Sequence, residues 1–491
     1  MGRTSQHGGV EMSKSQKISA LIFFMSIFII NNAYAACTGS TPTWTCTADS
    51  TSAQIQTCIN SATAGDTINV GAGSGSWSTQ IAITKSIYLI GAGIGSTIIS
   101  TGANNQIYIN LTPTNASDNI PIRVSGFTFN VGASVLFLYR NNSLIYDSTK
   151  VRLDHLRFVQ SSGYTVYLSG LAHGLMDNCQ SSGAVFFGLL GGFNLWNGNS
   201  AAAAYYFGTT STFWFEDNVW NGYAMFDGNG AGRYSTRYNT HNPTVYQGYY
   251  DQHGDHGGAQ SGMGAEIYGN QVNANPGGSN QYIDARGGKW LYFYNNLTNA
   301  GAENWPLLVR EEQQDSTIPP AVHVYSGQTH HINNTYAWGN WRNGVAYNVG
   351  SLLEHLTCDT CGEYVPTEGI HYFKYPTGVG CGTSLPATCT PVTSGSYGGK
   401  ESATGEMRGP GYWLVSAGDA GSCTNLTGYV GDINTYPTRK TISGTLYKCT
   451  ATNTWTSYYT PLTYPHPLRG GATSGPRAPI GVGVGPTIPP N

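Results

Sequence analysis

Apolar and polar residues alternate over short stretches from about residue 65 to residue 343, and no helical period is sustained anywhere in that span. An eight-residue frame recurs within it. Apolar residues mostly fill positions one, three and eight, and Asn or a small residue stands at five or six. The frame reads IRVSGFTF at 122–129, VRLDHLRF at 151–158, FWFEDNVW at 213–220, AEIYGNQV at 265–272 and LYFYNNLT at 291–298. Weaker copies are YSTRYNTH at 234–241 and the segment around 331–334. Alternation with β-branched and aromatic residues predicts strands. Asn218, Asn239, Asn270, Asn296 and Asn334 share one slot, which Asn178 fills in a further weak copy. Asn tolerates unusual turn angles and can bond its copy in the next unit, so the slot predicts an Asn ladder. Clear copies lie roughly 20 to 40 residues apart, as stacked units with unequal loops require.

Upstream, SAQIQTCINSA at 52–62 has helical spacing, and strands are predicted at 65–70, 81–83 and 86–91. A short helix, then GDTINV, then ITKSIYLIGAGIGSTII resembles the entry to a right-handed parallel β-helix of the pectate-lyase-like superfamily. The resemblance covers about residues 66–343. It implies an all-β solenoid whose N-terminal helix covers the open end and unpaired edges of the first coil. After Asn343 cysteines cluster, prolines rise and the Asn frame stops, with short strands predicted at 411–415 and 444–449. The chain therefore divides into a leader (1–35), a β-helix with its cap (36–345), a disulfide-stapled C-terminal region packed on the last coils (346–470) and a disordered Gly- and Pro-rich tail (471–491).

The leader changes the compartment. Lys14 and Lys17 precede the apolar run 18–30, and Ala33-Tyr34-Ala35 follows, which is the pattern of a secretory signal cleaved after Ala35 or Ala36; Met12 is a plausible start. Ten cysteines fit secretion to an oxidising extracellular or cell-surface location. Cys423 is expected to bond Cys449, and Cys358, Cys361, Cys381 and Cys389 to pair among themselves, while Cys179 is expected to be a buried free thiol. Charged residues make up 10% of the 491, with a net charge of −3, against about 25% in an average globular protein. No basic excess favours nucleic acid, and no membrane association is expected once the leader is removed.

Candidate chemistry concentrates in two gapless pieces, Tyr250-Asp251-Gln252-His253-Gly254 and Ile283-Asp284-Ala285-Arg286-Gly287. Strand alternation points Asp251 and His253 one way, as it does Asp284 and Arg286. Counting one strand after each Asn frame stacks Asp227, His253, Arg286 and Arg310 in one outward column, with Met225, Asp251, Asp284 and Leu308 beside it. Asp251, His253, Asp284, Arg286 and Arg310 are thus the catalytic candidates, and Asp227, His256, Glu311, Tyr250 and Tyr282 the substrate-binding ones. Neighbouring carboxylates resist joint ionisation unless a proton or cation intervenes; Arg286, Arg310 or a bound Ca²⁺ would serve. A structural charge ladder is the competing reading. Arg237 and Glu266 are expected to pair or to face solvent.

The superfamily resemblance implies a polysaccharide partner on the outer face. In its lyases a base removes the proton α to a uronate carboxylate that cations neutralise; here His253 or an Arg would be the base, and Arg286 and Arg310 the cations. In its hydrolases paired Asp residues protonate the leaving oxygen and activate water, as Asp251 and Asp284 could. A lyase acting on a uronate-containing glycan is the leading expectation, with a glycoside hydrolase and a non-catalytic glycan-binding surface protein as alternatives.

Overall fold

The structure, a computed structural model, describes residues 37–300 except 103–105, 112–119, 131–134, 141–150, 160–163, 170–172, 191–206, 244–249, 255–260 and 275–282. Beyond residue 300 it describes strand segments between 308 and 458, residues 332, 340 and 343, and residues 459–470. The leader, the tail, Arg310, His256, Glu311, Tyr282, Asn334 and the expected pairings of Cys358 to Cys389 and of Cys423 with Cys449 lie outside the described residues.

Short parallel strands build three sheets of thirteen, eleven and nine strands. From Thr67–Val70 to Leu308–Val309 successive strands enter the three sheets in rotation, so each pairs with the strand three places along the chain. This arrangement is compatible with a β-helix solenoid. Alternation supplies the interior: Ile68, Leu89, Val124, Leu153, Met176 and Phe215 stack in register in the first sheet and are fully buried. Each such side chain contributes about 1.5–3 kcal/mol by leaving water. The expected helix spans Ser52–Ser61, is started by a Thr51–Gln54 capping box, and sends Ile55, Cys58 and Ile59 into the same core.

The recurring frame is a first-sheet strand, a tight turn and a second-sheet strand. Position five needs left-handed backbone: φ is +80° at Gly126, +51° at His155, +53° at Asn178, +57° at Asp217, +59° at Tyr238, +64° at Gly269 and +53° at Tyr294. Position six carries the ladder. Asn218, Asn239, Asn270 and Asn295 each pass a side-chain amide hydrogen to the side-chain oxygen of the next rung, over 2.8 to 3.1 Å, the last acceptor being Asn340, and all five are buried.

Two expectations are corrected here. Asn295, not Asn296, is the rung, because Trp290 and not Leu291 pairs with Ala265, a one-residue slip in reading the last frame. Asn296 instead donates to Gln271 Oε1 on the surface of the second sheet. At the other end Asn178 holds the left-handed position and Cys179 the rung: Cys179 N–H donates to Asn218 Oδ1, and its sulfur accepts from Leu156 N–H. Cys179 is a buried free thiol, as expected. Asn239 serves the backbone carbonyls of Phe215 and Arg237 as well as both neighbouring rungs. Asn239→Leu orphans several of these groups, at about 1–3 kcal/mol each. Urea denaturation is expected to show a loss of at least about 3 kcal/mol; a loss within experimental error would remove the ladder from the account of stability.

The outward face of the first sheet is also covered. Asp154, Asp177 and Glu216 lie in register on adjacent strands, continued by Arg237 and Tyr268. Arg123 donates to both oxygens of Asp154, Arg152 to both of Asp177, and Arg237 to Glu216. The segment 459–470 closes over them. Arg469 approaches Asp177, Glu216 and Asp217 within 3.1 Å, Tyr464 bonds Asp217, and Tyr459 bonds Glu266. Glu266 is therefore fully buried, accepting from Tyr459, Ser235 and Gly208, rather than facing solvent. The end of the C-terminal region thus packs on the middle strands of the sheet, where Arg469 adds a further cation to the carboxylates of Asp177, Glu216 and Asp217. Six strands between 400 and 459 form a separate, mostly antiparallel sheet, with Tyr412–Val415 and Gly444–Ala451 at the two stretches read as strands. Near the N-terminus Cys37 bonds Cys46, with the buried Cys58 thiol 4.0 Å from Cys46.

Candidate active site

The third sheet carries the predicted chemistry. Its core side is fixed by Phe226, Tyr250 and Ile283 in register, with Phe226 and Tyr250 rings 4.8 Å apart. That leaves Asp227, Asp251 and Asp284 in one outward row on adjacent strands, followed at the next strand by Leu308. Asp227 was expected beside His253; the buried aromatics pair it with Asp251 instead. The shift is two residues, so the side chain keeps its face, and the row holds three carboxylates.

Arg286 and His253 bend in from the strand ends. Arg286 Nε donates to Asp251 Oδ1 at 2.8 Å and its Nη2 to Asp251 Oδ2 at 2.5 Å, while Nε lies 3.8 Å from Asp284. The same Nη2 lies 2.8 Å from His253 Nε2, which is 3.2 Å from Asp227 Oδ1 and 3.8 Å from Asp251. His253 Nε2 can serve only one of these partners at a time. As acceptor from Arg286 it carries no proton; as donor to Asp227 it must carry one. The patch faces outward but is not openly solvated: side-chain exposure runs from 7% at Asp284 to 21% at His253.

Burial and company separate the carboxyls. Asp251 is pushed up to about 6 by burial, with the neighbouring Asp284 carboxylate adding to the rise and Arg286 opposing it. Burial acts on Asp227 too, but the contacts from His253 and the Tyr164 hydroxyl outweigh it and hold that carboxyl below its ordinary value. Tyr164 donates to Asp227 Oδ2 at 2.6 Å; burial and that carboxylate push the phenol up, so it stays a donor. Tyr223 is raised likewise, by burial and then by Asp251 and Asp227.

Tyr250 does not reach the outer face. It is fully buried, and its hydroxyl is 3.0 Å from Thr236 Oγ1 and 2.8 Å from His241 Nε2 inside the core. Its place in a substrate-binding set is corrected for that reason: alternation turns it inward when Asp251 faces out. Burial holds His241 down at about 3, so the imidazole that shares this hydrogen bond with the phenol is neutral. Of the other candidates, Asp227, Asp251, His253, Asp284 and Arg286 come together. Tyr164 was missed, since it precedes its strand by a turn and belongs to no copy of the Asp pattern.

Asp227, Asp251 and His253 could also hold a cation, as their donor atoms lie within 4.8 Å of one another. The Arg286 guanidinium already lies among them, so a divalent ion would have to displace it. No helix among the described residues is long and apolar enough to cross a membrane. Comparison of the chain with protein-family models, with curated proteins and with solved structures finds no match.

Proposed function

We propose that the chain is a secreted, glycan-active right-handed parallel β-helix of the pectate-lyase-like kind, in which the row Asp227–Asp251–Asp284 hydrolyses glycosidic bonds. The right hand follows from the strong chirality of connections between parallel strands of one sheet. Secretion rests on the leader pattern at Lys14–Ala35. One observation carries the chemistry: adjacent carboxyls on the outer face have environments that pull their proton affinities apart, Asp251 up and Asp227 down. That is the division of labour an acid and a base need.

In this reading Asp251 gives its proton to the leaving glycosidic oxygen. Water adds to the anomeric carbon and yields its proton to Asp227. Arg286, already bidentate on Asp251, stabilises the carboxylate left behind. His253, between Asp227 and Asp251, then returns the proton from one to the other. Elimination from a uronate is less well supported, because Arg286 already directs Nε and Nη2 at Asp251 and His253 rather than outward.

The test is incubation with a panel of neutral and uronate polysaccharides. Hydrolysis predicts new reducing ends without the ultraviolet absorbance of an unsaturated uronate. Appearance of that absorbance would transfer the assignment to a lyase. Retention on a glycan with no cleavage would leave a binding protein.

A further inference from the structure

The carboxylate row is one half of a longer column. In register along the third sheet Tyr108, Tyr167, Gly188, Asp227, Asp251 and Asp284 hold outward positions. The column is aromatic on one side of Gly188 and acidic on the other. Gly188 is where the two halves meet, and its lack of a side chain is used. A Cβ there would lie 2.5 Å from Tyr167 Cδ2 and 3.0 Å from Tyr164 Cδ1, so the two rings lean over the bare backbone. Their centroids are 5.4 Å apart and their planes 58° from each other. Tyr164 is among the few exposed large apolar residues described, at 37%, and Tyr167 is half-buried. Tyr164 also spans the junction, with its ring beside Tyr167 and its hydroxyl on Asp227.

We infer that Tyr164 and Tyr167, seated over Gly188, form the platform for the sugar ring bound next to the carboxylates, and that Tyr164 at the same time positions Asp227. This rests on the glycan reading of the row. Strand neighbours lie about 4.8 Å apart, so the pair over Gly188 sits one strand spacing from Asp227 and two from Asp251. A tilted aromatic pair offers an apolar face to the C–H groups of a pyranose. The ligand class is therefore an unbranched glycan of pyranose units lying across the strands, its chain running from the carboxylates toward Tyr108. Tyr167 acts on binding, and Tyr164 on binding and on the orientation of Asp227.

The test separates ring from hydroxyl, using the polysaccharide that the wild type cleaves. Tyr167→Ala is expected to raise KM about tenfold, the worth of roughly 1.4 kcal/mol, with kcat little changed. Tyr164→Phe keeps the ring and removes the hydrogen bond, so kcat is expected to fall while KM holds. Gly188→Ala displaces both rings and combines the two effects, with circular dichroism confirming the fold. An unchanged KM in Tyr167→Ala, or an unchanged kcat in Tyr164→Phe, would overturn the inference while leaving hydrolysis standing. Should no glycan be cleaved, titration with cellohexaose, xylohexaose and hexagalacturonate decides. Binding that Tyr167→Ala weakens upholds the platform though hydrolysis falls; binding to none of the three, or binding that Tyr167→Ala leaves unchanged, overturns the platform.

Discussion

Asp251→Asn is expected to lower kcat by about 10²- to 10⁴-fold, the usual worth of a positioned general acid, and to change the shape of the pH profile. The wild type needs a proton at Asp251 and none at Asp227. With Asp251 held up at about 6 and Asp227 below its ordinary value, kcat/KM should be highest between the two and fall as pH rises past about 6. The asparagine variant should lose that alkaline limb from whatever activity remains. Stability supplies a second readout with a definite sign. The folded-state affinity of Asp251 for its proton is raised above the ordinary 3.8. Its favourable contribution is then fully present below about pH 4 and is lost as pH climbs to about 6. Asparagine carries no such proton, so the variant should gain stability relative to the wild type between about pH 4 and pH 7. A variant with wild-type turnover, or an alkaline limb that survives the substitution, would take the acid role away from Asp251.

The parallel strands, the first helix and the five clustered site residues were legible because each depends on short-range pattern. Alternation placed Asp251 and Asp284 outward, with Gln252 and Ala285 inward, and the fully buried Gln252 and Ala285 agree with it. Register between distant strands was less legible. It is set by volume in the core, and Phe226 over Tyr250 drew Asp227 to Asp251 where a count of residues drew it to His253. The same limit explains Asn295 and Asn296: two asparagines in succession offer two frames, and only the pairing of Trp290 with Ala265 chooses between them. Tyr164 could have been found by extending the Asp column backward through Gly188 to Tyr167, since a glycine in an otherwise bulky strand marks a close approach. Contacts of the segment 459–470 had no such signal. They join residues far apart in the chain, such as Arg237 and Thr463, 226 positions from each other, and nothing local in the sequence anticipates them.

Those contacts bear the largest stability effect expected here. Arg237 is fully buried and holds five groups at once: Glu216, Tyr268, the carbonyls of Leu462 and Thr463, and the Trp214 ring, whose centroid lies 4.6 Å from its Cζ. Removing one partner of a buried ion pair costs about 3–5 kcal/mol, because the other charge stays behind in a poorly solvating site. Arg237→Leu leaves Glu216 buried with Arg469 at 3.1 Å as its remaining cation, and two backbone carbonyls without a donor. The denaturation midpoint should fall accordingly, and the chain near Leu462 should become open to proteolysis, because its two carbonyl contacts with the first sheet are gone. Glu216→Gln combined with Arg237→Met should recover part of the loss, since no uncompensated charge then remains at that pair. Glu216 and Arg237 lie on the first sheet and the carboxylate row on the third, so kcat measured well below the midpoint should change little in either variant. A loss under about 1 kcal/mol in Arg237→Leu, with the proteolytic pattern of the wild type, would mean that the segment is held by its aromatic contacts rather than by this arginine.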